Sequence, residues 1–170
     1  MKKILWLALI VIFLVSVYQA LVVYLGTPEH YQLPGLAYAD QQGAHDWLAA
    51  WQAAPYGRGT LLDVARSNLH LDFGFIFVYT MLILLLSYLQ MQRERSPRLN
   101  AYLRLNIFLA LILTVSDILE NILLLYDIRH INDHGLYLSP WFFSTLKWLL
   151  TAWVVGVYLI SRSRETLVKG

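Results

Sequence analysis

The sequence predicts an all-α integral membrane protein, a bundle of four transmembrane helices with a short amphipathic helix in the first outer loop. Three observations carry that expectation. Apolar residues are 58% of the 170, against roughly 45–50% in soluble domains. Charged residues are 14%, against roughly 25%. Four stretches, at about 4–25, 71–91, 105–126 and 141–161, match the roughly 20 apolar residues that a helix needs to cross a bilayer core. At this length the chain forms a single membrane domain, residues 1–170. The net charge of +2 gives no footprint for nucleic acid. The absence of cysteine excludes disulfides, thiolate metal ligands and a cysteine nucleophile.

Each element has its own justification. Lys2 and Lys3 precede the first span, as they would a signal peptide. The apolar run is too long for one, and Tyr18 stands before Gln19-Ala20, where a cleavage site needs a small residue. The first span is therefore expected to be retained. In the outer loop, 26–70, Ala44, Trp47, Leu48 and Trp51 recur at i, i+3, i+4 and i+7, one face of a helix over about 40–54. Pro55 and Gly57 end it. Two indoles on one face suit the membrane surface and equally a cap packed on the bundle, two settings that are compatible. Thr60-Leu-Leu-Asp63 resembles a capping box with Asp in place of Glu, so the second helix starts near Leu61, before the membrane.

Basic residues set the direction. Lys2, Lys3, Arg93, Arg95, Arg98, Arg104, Arg162, Arg164 and Lys169 fall on one side, nine in all; Arg58, Arg66 and Arg129 fall on the other. Positive charge concentrates on the cytoplasmic side, so both termini are expected there, in a bacterial inner membrane.

Ionisable groups within spans are costly and mark function. In the third span Asp117, Glu120 and Asn121 lie at i, i+3 and i+4 and share a face. Asp117 is about 18 Å along the helix from Leu105, in the outer half. Lys147 is about 9 Å into the fourth span from Trp141, also in the outer half, with Ser144 and Thr151 on its face. The second span brings His70 and Asp72 at its mouth and Tyr79 two turns below. The first brings Ser16 and Gln19. The cytoplasmic halves read as nearly pure hydrocarbon.

Two acids beside one amine in a dry setting are the means of general acid–base chemistry. The alternative is a polar network that ties helices together. Asp117, Glu120 and Lys147 are thus the candidate catalytic groups. Asp72, Asn121, Gln19, Tyr79, Ser144 and His70 are the candidate substrate-binding groups. The expected partner is a membrane lipid or lipid-linked molecule, with a homo-oligomer or a membrane subunit as further possibilities. A proton-coupled carrier and an assembly subunit are the competing readings.

No metal or cofactor is expected. His130 and His134, with Asp127 and Asp133, lack metal-ligand spacing and read as a solvated loop. No histidine lies deep in a span, where an axial haem ligand would stand.

Overall fold

The computed structural model describes residues 7, 10–12, 14, 15, 17, 18, 33–131 and 137–169; of 33, 34 and 165–169 the backbone alone is described. The elements are α1 (Leu33–Leu36), α2 (Gln41–Ala53), β1 (Pro55–Tyr56), β2 (Gly59–Thr60), α3 (Leu61–Met91), α4 (Pro97–Arg129) and α5 (Trp141–Lys169). The protein is all-α apart from a two-residue hairpin. The helices α3, α4 and the stretch Trp141–Arg164 of α5 are long and apolar enough to cross a bilayer. The first expected span and Gln19 lie largely outside the described residues; those described between Leu7 and Tyr18 are helical.

Local signals explain the boundaries. Asp40 caps α2 by accepting the Gly43 amide at 2.8 Å. Gly57, at φ 58°, supplies the left-handed turn that lets Pro55 pair with Thr60 and Tyr56 with Gly59. Thr60 and Asp63 close the capping box: the Thr60 amide donates to Asp63 Oδ2 at 3.0 Å and the Asp63 amide to Thr60 Oγ1 at 3.4 Å. The helix starts at Leu61 as the sequence predicts. Pro97 opens α4, where its missing N–H costs nothing.

The helix α4 is the centre. It packs along both α3 and α5, which touch each other much less. Its buried face runs Leu103, Asn106, Ala110, Leu113, Asp117, Glu120, Asn121, Leu124, Ile128, a continuous stripe at helical spacing. Large apolar side chains point outward from all three helices, among them Phe77, Met81, Phe108, Leu111, Trp148, Leu149 and Ile160. Such a belt suits lipid rather than water.

At one end α2 lies across the bundle. Its Ala44, Leu48 and Trp51 face packs with Leu36, Leu61, Leu62, Ala65, Leu69, Leu124, Ile128 and Ile131. Trp51 is 1% exposed. Trp47 and Tyr56 pack at the margin of this cluster. The described packing of this helix is that of a cap on the bundle. The Tyr137 hydroxyl donates to the Leu36 carbonyl and ties the approach to α5 onto the same cap. This is the cap end; the opposite end, which carries Arg93, Arg95, Arg98 and Arg104, is the basic end.

Candidate functional site

The helices place five candidate residues in one linked group. From α5, the Lys147 ammonium reaches Asp117 Oδ1 at 2.9 Å and Glu120 Oε2 at 2.5 Å. The Asp117 contact is an aligned hydrogen bond. The Glu120 contact is a close ion pair. From α3, the Tyr79 hydroxyl donates to Asp117 Oδ2 at 2.6 Å. From α5, the Ser144 hydroxyl donates to Glu120 Oε1 at 2.9 Å. A single chain therefore runs Tyr79–Asp117–Lys147–Glu120–Ser144 across three helices. The two acids are each 5% exposed, as charge in hydrocarbon requires. The ammonium is less enclosed, and the Trp148 ring, with its centroid 5.8 Å from Nζ, flanks it from the outward side.

Spacing on α4 explains why both acids meet one amine. Residues three apart project from the same face about 5–6 Å apart at Cβ, within the reach of one lysine. Ser144 sits one turn before Lys147 on α5 and meets the second acid by the same rule.

One turn nearer the cap end, the Asn121 amide donates to Asp72 Oδ2 at 2.8 Å and joins α4 to α3. Asp72 and Asn121 thus pair with one another beside the charged chain. His70 is exposed, and its Nδ1 meets the Arg66 carbonyl at 2.6 Å, one turn back on its own helix. It is not brought into the cluster. Thr151 likewise turns to its own helix and donates to the Lys147 carbonyl at 2.8 Å.

Two expectations need correction. Asp127 does not belong to a solvated loop. It lies in the last turns of α4, 3% exposed, and accepts the Leu138 amide at 3.0 Å on Oδ1. Its Oδ2 is buried without a hydrogen-bond partner among the described residues. Nor is the half toward the basic end nearly pure hydrocarbon. At the midplane the hydroxyls of Thr80 and Thr114 meet at 2.7 Å. Asn106, fully buried, donates to the Val154 carbonyl at 3.0 Å. Gln90 donates to Ser161 Oγ at 3.1 Å, and Ser161 donates to Glu94. A signal for Asn106 was present, since it lies eleven residues before Asp117 and so on the same helical face.

Among the described residues no group of three His, Asp or Glu side chains is arranged to hold a metal ion. His130 instead stacks on Tyr126, with ring centroids 4.0 Å apart. Comparison with known proteins finds no matching family model, no similar curated protein and no similar solved structure.

Proposed function

We propose that the protein crosses the inner membrane four times with both termini cytoplasmic, and that its acid–base cluster, in the outer half of the bilayer, carries out proton chemistry on a lipid or lipid-linked substrate drawn from the outer leaflet. The observation that supports this reading is the single ammonium of Lys147 shared between Asp117 and Glu120. Two acids to one base leave one negative charge beyond neutrality, and so one place where a proton is taken up or released. Asp117 and Glu120 divide the acid and base roles. Lys147 holds one of them ionised or meets a substrate phosphate. Tyr79, Ser144, Asn121 and Asp72, with Gln19, orient the reacting group, and His70 serves the approach to it. Helix α2 roofs the site from the aqueous side.

A second reading, a proton-coupled carrier, draws on the buried polar groups toward the basic end. Thr80, Thr114 and Asn106 extend the polar line past the midplane, away from the cluster. The complementation of a deletion strain distinguishes the two. For an enzyme, wild type restores a lipid or lipid-linked intermediate, while Asp117→Asn and Glu120→Gln accumulate in the membrane without restoring it. Proton flux in proteoliposomes, abolished by the same variants, supports the carrier. Full complementation by both amide variants leaves neither reading and returns the cluster to a helix-tying role.

The topology has a separate test. The chain has no cysteine, so single replacements report cleanly. An impermeant thiol reagent labels His45→Cys in intact cells and does not label Ser96→Cys. The reverse pattern overturns the orientation.

A further inference from the structure

At the basic end a cavity of about 420 Å³ opens beside the start of α4, lined by Arg95, Pro97, Asn100, Ala101 and Arg104. Its volume lies within the range of small-ligand sites, roughly 300–1,000 Å³. Both arginines are exposed, and neither forms an ion pair among the described residues. The lining between them is mostly apolar. Two unpaired guanidinium forks over an apolar floor suit an amphiphile with an anionic head, because the planar fork matches phosphate oxygens.

The helix continues the pattern above the cavity. Pro97, Asn100, Ala101 and Arg104 lie at i, i+3, i+4 and i+7, one face of α4. Phe108, Leu111, Val115 and Ile122 carry that same face onward, each 49–60% exposed. Arg104 therefore stands at the foot of an exposed apolar stripe about 27 Å long by helical rise, close to the thickness of a bilayer core. Asn100 lines the cavity between the two arginines, and its amide donates to the Met91 carbonyl at 3.4 Å.

We propose that this cavity seats the phosphate headgroup of an anionic phospholipid, with its acyl chains lying along the Phe108–Leu111–Val115 stripe. Basic pockets at the inner face of membrane helices recognise lipid headgroups through the same chemistry. The site is separate from the acid–base cluster and does not depend on its role.

Native mass spectrometry of the full-length protein, delipidated in neutral detergent, tests the assignment with dioleoylphosphatidylglycerol against dioleoylphosphatidylcholine. Wild type is expected to retain the anionic lipid with a preference on the order of tenfold. Arg95→Gln/Arg104→Gln removes the preference. Arg93→Gln/Arg98→Gln, which deletes the same charge at neighbouring positions outside the cavity, keeps it. Equal loss in both double variants means diffuse attraction to a basic surface and overturns the site. Inorganic phosphate at millimolar concentration leaves the lipid adduct in place; its displacement of the adduct identifies a soluble anion site and overturns the lipid assignment. Should Arg95→Gln/Arg104→Gln fail to fold, wild type decides, since equal retention of the two lipids overturns the proposal.

Discussion

The two halves of the helix bundle tie the same three helices together by different chemistry. Toward the basic end the links are neutral or nearly so: Thr80 to Thr114, Asn106 to a backbone carbonyl, Gln90 to Ser161. Toward the cap end they are ionic, with one lysine between two acids. Neutral hydrogen bonds between membrane helices contribute about 0.6 kcal/mol on average, and the basic end shows that such links suffice here to seat polar groups between helices. Ion pairs in the same setting carry a desolvation cost of several kcal/mol per ion. Burying Asp117, Glu120 and Lys147 is therefore costlier than seating the neutral links toward the basic end, and that cost is the ground of the functional proposal.

The contrast breaks most visibly at Lys147. Lys147→Met leaves two buried acids without a counter-charge, and removing one partner from a buried pair costs about 3–5 kcal/mol. A large fall in melting temperature in detergent is expected. Adding Asp117→Asn and Glu120→Gln to Lys147→Met should recover most of it, because the lone charges are then gone. Wild-type melting of Lys147→Met alone would erase the distinction between the two halves.

The single amide variants come next. Glu120→Gln keeps an oxygen for the Ser144 hydroxyl, and Lys147 retains Asp117 as its partner. Asp117→Asn keeps an acceptor for Tyr79, and Lys147 retains Glu120. Each is expected to cost about 1–2 kcal/mol, the size of a charge-assisted hydrogen bond exchanged for a neutral one. Both remain folded, as size-exclusion profiles and melting curves report. If either unfolds as far as Lys147→Met, the shared-ammonium account fails.

Much of this was legible before the structure. The capping box at Thr60 and Asp63 and the stop at Pro55 and Gly57 follow from local sequence, and the meeting of Lys147 with Asp117 or Glu120 follows from the face the acids share and the depth they have in common with the lysine. The seam toward the basic end was not legible in the same way. Ser87, Gln90 and Ser161 are isolated polar residues near span ends, where solvent is the ordinary environment, and only the approach of α3 to α5 buries them. Asn106 and Asp127 are a different case. Both continue the buried stripe that carries Asp117, although one lies in the half expected to be hydrocarbon and the other in the expected loop. His70 is the opposite case: it stands two residues from Asp72 in sequence, and helical positions two apart do not face each other.

Asn106 sharpens the neutral side of the comparison. Its amide donates to the Val154 carbonyl, while its Oδ1 is buried without a partner among the described residues. Asn106→Leu removes one hydrogen bond and one unsatisfied acceptor together, so its net effect is expected to stay within about 1 kcal/mol of wild type. Detergent melting checks this. A loss as large as that of Lys147→Met would give the neutral seam the same weight as the charged cluster.

Glu94 supplies the smallest effect and tests the one acid in the neutral seam. It lies between α3 and α4 and accepts the Ser161 hydroxyl on one oxygen and the Ser96 amide on the other, at 2.8 Å. Burial opposes its charge and is the largest single influence, yet these hydrogen bonds and the nearby Arg164 outweigh it, so its carboxyl is held below the usual glutamate range. A lowered folded value means that the stabilisation is fully present above the unfolded value, near 4.3, and is lost as pH falls through the folded one. The position is partly exposed, and solvent screening keeps the effect small. The difference in melting temperature between wild type and Glu94→Gln should therefore be constant from neutral pH down to about 5 and shrink below the usual glutamate range. A difference that grows as the solution is acidified would mean that Glu94 is stabilised in its protonated form, and the seam would then be neutral throughout.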